Sequence, residues 1–586
     1  MKYLLFAFFL LSASFAFCAE NVTVPNTFKE GDIVSAEKMN QNFQKLAEEL
    51  AKLKASLAQP ARPTVSSVKP ENGQKGISLS SDITINFNGA MDTSTIVTAN
   101  TLTGSNITLQ DSSGNHIQAA ITFSNQVATI NPASDLRYSE TYTVTVSIGV
   151  SDSSGNALGM PFTSNFQTVL NTPASISAGM NHTCATYFDN TIKCSGQNSQ
   201  GSLGNGTGLI SLSPVNVTGI TNATAVSNAS AYSCALLADK TIRCWGRGWN
   251  GVMGDGSSTS WYVPANKVSG ITTATEVSTA GAHACALLST GTVQCWGGNF
   301  YGSLGGGQDN VSMNQLTPIN VSKISNATSI TTGGLGEPLG NLGFSCALLS
   351  AGIIKCWGND NYGQLGSGSR NSTTYTSIHS TQQQTGFFSR EPVQVAGISN
   401  ATAISASRTG FHGHACAIVD QGSVKCWGAD DSGQLGSGSR NTETYTQNNQ
   451  SPPSQPITQN ASYKPVSVSG INTAIAISAG GRHTCALLAD KTVKCWGADD
   501  SGQLGSGAKN TETYTQSPNN QSQTQNASYK PVSVSGINTA IAISAGGSHT
   551  CALLEDKTVK CWGNNQSGQF GDGLGASSLT PKLTLF

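Results

Sequence analysis

Fourteen cysteines recur as seven pairs, each ten positions apart. Cys184 pairs in this way with Cys194, Cys234 with Cys244, Cys285 with Cys295, Cys346 with Cys356, Cys416 with Cys426, Cys485 with Cys495 and Cys551 with Cys561. In the fullest copy, HTCALLADKTVKCWG at 483–497, apolar runs flank a short polar turn, the pattern of a β-hairpin. Placing Cys485 opposite Cys495 sets Leu488 against Thr492 and leaves Ala489-Asp490-Lys491 as the loop. The last residue of such a loop takes the left-handed conformation, where glycine and asparagine cost least. Four copies carry Gly291, Gly352, Gly422 or Asn190 there, and three carry Lys240, Lys491 or Lys557. That agreement supports the register, and directly opposed residues lie within disulfide reach. Structural disulfides are therefore expected, each contributing about 3 kcal/mol by closing a short loop; free thiols and metal ligation are the competing readings. His182, His283, His414, His483 and His549 each stand two residues before a cysteine, on its face. Two copies have Tyr232 and Phe344 instead, and neither replaces imidazole on zinc. The position reads as packing, with no metal and no cofactor expected.

The chain's 586 residues exceed what one core can hold. Only 11% are charged and the net charge is −1, so there is no basic field to hold nucleic acid or an anionic membrane. The opening MKYLLFAFFLLSASFAFCAE has a lysine, an apolar run and small residues at its end, which reads as a secretory signal over 1–19. Cleavage after Ala16 or Ala19 fits; a lipid-modified Cys18 is the alternative, with bulky Phe17 against it. Cys18 is the odd one of fifteen cysteines, and its removal leaves an even set, as an oxidising compartment favours. No later stretch is long and apolar enough to span a bilayer. The expected location is secreted or cell-surface, in a bacterium.

After a polar leader, Ser35 and Glu37 mark the start of a helix. Met39, Phe43, Leu46, Leu50, Leu53 and Leu57 follow at alternating spacings of four and three, until Pro60. Two readings compete: a helix docked on its own domain, or a stem that joins copies into a homo-oligomer through 39–57. Residues 61–170 lack cysteine and tryptophan and alternate apolar with polar residues, as in DITINF and YTVTVSI, with DSSGN turns at 111–115 and 152–156. The run from PTVSSVKPENGQKGISLSSDITINFNGAMD through LRYSETYTVTVS to DSSGNAL resembles the bacterial Ig-like domain of surface proteins. That resemblance implies a β-sandwich acting as spacer or stalk. The DSSGN segments read as plain turns rather than calcium sites.

Residues 171–586 form a repeat array whose fullest unit is KPVSVSGINTAIAISAGGRHTCALLADKTVKCWGADDSGQLGSG, 464–507. It supplies about four short strands, the content of a propeller blade. CALL, KCWG and GQLGSG resemble the regulator of chromosome condensation repeat, which implies a seven-bladed β-propeller. The paired cysteines depart from the nuclear members of that family and fit an exported branch. The expected fold is thus all-β: a seven-bladed propeller behind an Ig-like sandwich and a short N-terminal helix. The first hairpin has no PVxV strand before it, while TPKLTLF at 580–586 follows the last one. The expectation is that this final strand completes the first blade.

No catalytic residue emerges. Tryptophan follows the second cysteine in six copies and reads as inter-blade packing; the first copy has Ser195. The GQLG loops lack the lysine and the strand–loop–helix context of a phosphate cradle. Asp430-Asp431 and Asp499-Asp500 read as exposed loop residues, since another copy has Asn564-Asn565. The informative irregularity is three polar insertions, starting SRNSTTYT at 369, SRNTETYT at 439 and AKNTETYT at 508. Insertions at one point of consecutive blades share a face, where recognition is commonly placed. Arg370, Tyr375, Arg440, Tyr445, Lys509 and Tyr514 are the candidate partner-binding residues; functionless loops left by repeat duplication are the bland alternative. The function expected is a secreted or surface binding protein whose partner is an extracellular protein or surface glycan, and not nucleic acid. Alternatives are an inhibitor of an extracellular enzyme, since the family includes a secreted propeller that inhibits β-lactamase, and a propeller hydrolase or lyase. Guanine-nucleotide exchange, which the family name suggests, is opposed by the signal and the cysteines.

Overall fold

The computed structural model describes residues 35–57, 62–96, 105–258, 263–307, 313–334, 342–376, 383–408, 413–445, 457–516 and 521–586. The signal-peptide reading lies outside them. The chain divides between Leu170 and Asn171 into two compact units.

In the first unit, helix α1 (Ala36–Leu57) starts as the sequence predicts. Ser35 Oγ accepts from Lys38 N at 3.4 Å, and Glu37 lies in the first turn. Met39, Phe43, Leu46 and Leu50 are 42–55% exposed, so the described chain does not dock this stripe. Two four-stranded sheets follow. One orders Val65–Lys69, Ile83–Phe87, Val127–Pro132 and Ala119–Ser124; the other orders Gln74–Ile77, Phe162–Thr168, Thr141–Val146 and Ile107–Gln110. Alternation buries Ile83, Ile85 and Phe87 from one sheet and Tyr142, Val144 and Val146 from the other in a shared core. Each DSSGN aspartate is occupied by its own turn. Asp111 accepts from Asn115 N at 2.8 Å and Ser113 N at 3.0 Å, and Asp152 from Asn156 N and Ser154 N, both at 2.9 Å. The Asn115 and Asn156 side chains also donate to these carboxyls and lead in holding them below the usual carboxylate range.

Among the described residues the second unit contains seven sheets of four or five strands and one two-stranded sheet. In each of the seven, three strands run in sequence order as an antiparallel meander and a later strand pairs with the third; in the two five-stranded sheets an insertion strand lies outside that one. The first comprises Pro173–Ala178, His182–Tyr187, Ile192–Gly196 and Ser211–Asn216. All seven cysteine pairs sit directly opposite one another, as in Cys485↔Cys495. The predicted hairpin loop is also present. Leu488 N donates to Thr492 O, and φ is 62° at Asn190, 64° at Lys240, 65° at Lys491 and 68° at Lys557.

The structure corrects the phase of the repeat. The strand that completes each sheet is the PVxV strand after its hairpin, as in Cys495↔Val532, so the unit 464–507 straddles two sheets. The final strand, Ser578–Leu583, accordingly pairs with Val559–Gly563 in the seventh sheet (Lys560↔Leu583, Gly563↔Ser578), not with the first. A strand returning from a short loop pairs with the strand it has just left, the shortest antiparallel connection available.

First strands of successive sheets are joined by one repeated bond. A serine or threonine hydroxyl accepts from a backbone N–H of the next sheet: Asn228 N to Ser177, Thr279 N to Ser227, Thr332 N to Ser278, Ala406 N to Thr331, Ala479 N to Ser405 and Ala545 N to Ser478, at 2.9–3.1 Å. The seventh sheet's Ser544 accepts from Ala178 N of the first at 2.8 Å.

Candidate recognition face

The paired cysteines of the repeats and the histidines beside them are committed to the core. All fourteen cysteines of the repeats are buried in disulfides between opposed strands, with Cα atoms 4.0–4.1 Å apart. The bonds join Cys184 to Cys194, Cys234 to Cys244, Cys285 to Cys295 and Cys346 to Cys356. They likewise join Cys416 to Cys426, Cys485 to Cys495 and Cys551 to Cys561, so each hairpin carries its own bridge and no bridge crosses between sheets. In these bonds the sulfurs are neither thiols nor metal ligands, and none of the fourteen is available to a partner. The five histidines are buried beside them, each with Nε2 on a hydroxyl of the next sheet: His182 on Ser233, His283 on Ser345, His414 on Thr484, His483 on Thr550 and His549 on Thr183, at 2.8–2.9 Å. Burial lowers their pKa values to about 3–4, so they are neutral imidazoles near pH 7. Tyr232 does the same structural job with its hydroxyl, donating to Ala280 O and His283 O. Among the described residues no three His, Cys, Asp or Glu groups gather to hold a metal. The first strands carry a single acid, Glu276, which accepts from Ile330 N and Ser329 Oγ of the next sheet. Burial raises its pKa, and these two hydrogen bonds, followed by the nearby Arg408 charge, offset part of that rise.

The tryptophans weld neighbouring sheets. Trp245, Trp296, Trp357, Trp427, Trp496 and Trp562 are buried, and each indole N–H donates at 2.9 Å to a carbonyl in the preceding sheet's glycine-rich loop. The last glycine of that loop lies under the indole; a Cβ on Gly436 would stand 2.6 Å from Trp496 Nε1. The glycines of GQLG therefore serve packing. At the first sheet Ser195 replaces tryptophan, and Phe586 packs there instead. A Cβ on Gly571 would meet Ser195 Oγ at 2.8 Å and the Phe586 ring at 3.1 Å.

The three insertions form hairpins at the sheet ends opposite the Asp-Lys turns. Ser372–Thr376 pairs with Gln383–Gln394, Glu443–Tyr445 with Ile457–Gln459, and Thr511–Gln516 with Gln521–Ser533; each return leads into the outer strand of its sheet. The sequence places Asp430 and Asp499 in exposed loops, and the structure overturns this: both are fully buried. Each accepts the N–H of Leu435 or Leu504 through Oδ1, and through Oδ2 the backbone and side-chain N–H of Asn441 or Asn510. Asp360 pairs in the same way with Leu365 and Asn371. Burial raises the Asp360 and Asp430 pKa values to about 6. The recurring asparagine of the insertions is thus an anchor.

The recurring arginines are stacked. The Arg370 guanidinium lies 3.3 Å from the Phe387 ring centroid and 5.9 Å from Tyr463 of the next sheet, and donates to Asn361 O at 3.0 Å. Arg440 lies 3.6 Å from Tyr514 and 5.8 Å from Tyr529, both of the next sheet, and donates to Asp431 O at 2.7 Å. Gln459 and Gln525 donate across the same junctions, to Asn361 O at 2.9 Å and Asp431 O at 3.2 Å. Three successive sheets are therefore joined at their rims. Lys509 is exposed, and the seventh sheet presents Leu579 beside Gly502 where Tyr463 and Tyr529 flank Gly363 and Gly433. Tyr375 and Tyr445 lie in the hairpin strands, with side chains outside the described residues. The reading from composition missed Tyr463, Tyr529, Gln459 and Gln525. Their signal is the duplicated QNASYKP at 459–465 and 525–531.

Residues 59–168 match the model of a bacterial Ig-like domain. Models of the regulator of chromosome condensation (RCC1) repeat match 275–303, 403–434, 474–503 and 540–569, and in a second form 421–487 and 492–553. The E3 ubiquitin-protein ligase HERC2 of Homo sapiens is 26% identical over 308 residues, which are 51% of this chain and 5% of the ligase. The secretion-regulating guanine nucleotide exchange factor of Mus musculus is 28% identical over 198 residues, 33% of this chain and 38% of that protein. The chain thus spans well under half the length of these relatives. Among solved structures, Prp20p of Saccharomyces cerevisiae matches with TM-score 0.50 at 18% identity, covering 70% of this chain and 87% of that one. Human WBSCR16 matches with TM-score 0.51 at 17% identity, covering 67% and 94%. At these identities the structural likeness shows the fold alone.

Proposed function

We propose, for a chain that carries regulator of chromosome condensation repeats behind a bacterial Ig-like domain, that the repeats form a closed seven-bladed propeller acting as the recognition head of a secreted or surface-displayed protein. The bond from Ala178 N to Ser544 Oγ supports closure, because it repeats between the seventh and first sheets the link that joins every other neighbouring pair. An extracellular location is supported by seven disulfides, which persist in oxidising compartments. A bacterial Ig-like domain fits the same setting.

The observation that carries the binding reading is the rim of the fourth to sixth sheets. Its hairpins are fixed to one another by Arg370 and Arg440, so a polar surface is held rigid before any partner arrives. His182, His283, His414, His483, His549, Asp360, Asp430 and Asp499 are instead buried and hydrogen-bonded within the core. Arg370, Arg440 and Tyr514 shape the platform, and Tyr375, Tyr445 and Lys509 are its contact residues. The partner is an extracellular protein or surface glycan; inhibition of an extracellular enzyme is one form such recognition takes.

A photo-crosslinking residue placed at Lys509 of the full chain tests this against extracellular proteins and a surface-glycan array. The same probe at Lys557, on the opposite sheet ends, serves as control. Adducts specific to Lys509 are expected. The combined Tyr375→Ala, Tyr445→Ala and Lys509→Ala variant should then bind that partner more than tenfold more weakly, as loss of one hot spot of about 2 kcal/mol would give. Equal adducts from both positions, or unchanged affinity in the variant, would remove the site from this face.

A further inference from the structure

Helix α1 presents an apolar stripe that the described chain leaves open: Met39, Phe43, Leu46 and Leu50 are 48%, 55%, 42% and 53% exposed. Leu53 and Leu57 continue the four–three spacing in the sequence. In heptad terms Phe43, Leu50 and Leu57 occupy a, and Met39, Leu46 and Leu53 occupy d. Two apolar positions per heptad make the narrow seam of a coiled coil, whereas a helix lying on a globular core buries a wider face. A lone helix of 22 residues is barely stable in water, so burying this seam is also what would hold the helix together.

The flanking charges indicate the occupant. Glu49 falls at g and Lys54 at e of the following heptad. In a parallel pair, g of one helix faces e five residues on in the other, which sets Glu49 against Lys54 of the partner subunit on both sides of the seam. In an antiparallel pair g faces g and e faces e, and this complementarity is lost. Within its own helix Glu49 pairs with Lys52 at 2.9 Å and Lys45 at 3.8 Å. Both are surface pairs, too weak to withhold the carboxylate from a second copy.

We infer that residues 39–57 join copies of this chain as parallel helices, with the a and d residues in the seam and Glu49 against the partner subunit's Lys54. The inference is independent of what the repeat array binds. Its consequence is that several recognition heads share one stem, so that weak contacts to a surface add as avidity.

Sedimentation equilibrium of the full chain should give the mass of two or more copies. Leu50→Glu should return it to a monomer with the thermal transition of the repeat array unchanged, since Leu50 is exposed within the chain. Glu49→Lys and Lys54→Glu should each weaken self-association roughly threefold to tenfold. Mixing these two variants should restore association between them, because each supplies the charge the other lacks. A monomeric parent, or a Leu50→Glu variant of unchanged mass, overturns the stem. Association that Leu50→Glu abolishes but the mixture fails to restore overturns the parallel register.

Discussion

Among single side chains, the buried histidines make the protein sensitive to acid. Their folded pKa values lie near 3–4, well below the ordinary 6.5, because burial disfavours the cation. As the pH falls below 6.5 the unfolded chain takes up protons that the folded chain refuses. The stability these residues contribute is whole above pH 6.5 and is lost progressively down to about pH 3–4. Asp360 and Asp430 act in the opposite direction. Raised to about 6, they favour the folded state as the pH falls from 6 toward 4. At about 1.4 kcal/mol per pKa unit, five groups lowered by about 2.5 to 3.5 outweigh two raised by about two. The urea midpoint should therefore fall between pH 7.5 and 5. His549→Phe, which copies Phe344 of the fourth sheet, should lose less over that range. A midpoint that stays flat in the parent would refute neutral burial.

One level up, the hairpins of the fourth to sixth sheets are held from outside themselves. The hairpin of Thr511–Gln516 and Gln521–Ser533 is tied to the preceding sheet by Arg440 on Tyr514 and by Gln525 on Asp431 O. A partly desolvated cation–aromatic contact is worth about 0.5–2 kcal/mol. Arg440→Ala should raise hydrogen exchange across 511–516 roughly tenfold, while His483–Leu488 in the same sheet keeps its protection. Lys509→Ala should leave both unchanged, because the seventh sheet offers Leu579 and no ring. Equal effects of the two substitutions would mean that the stack does not order the hairpin.

Across the repeat array as a whole, the seam between the seventh and first sheets differs from the others. It keeps the backbone links, with Gly547 N on Gly179 O at 3.0 Å and Gly573 N on Leu212 O at 2.9 Å. It lacks the tryptophan, and Phe586 fills that space beside Ser195. Phe586→Ala should cost about 2 kcal/mol, the burial energy of a large side chain. Adding Ser195→Trp to that variant should recover most of the loss, whereas Ser195→Trp alone should destabilise by overpacking against Phe586. Additive effects of the two changes would place the ring elsewhere. The last strand therefore does not complete the first sheet as expected; it belongs to the seventh, and Phe586 beyond it packs beside Ser195 of the first.

What depends on near neighbours along the chain was legible before any fold was known. The cysteine spacing and the Asn190 and glycine turns set every hairpin register, and alternation marked the sandwich strands. Those signals survive in one sequence because each repeat restates them. Which strand closes each sheet, that Asp430 and Asp499 are buried anchors, and that Arg370 and Arg440 stack on the neighbouring sheet all had to come from the packed molecule. In each case the partner lies on another strand or another sheet. Whether a carboxylate meets water or a buried asparagine, or a guanidinium meets a partner or a ring, is set by what packs beside it, and residue type and spacing do not carry that information.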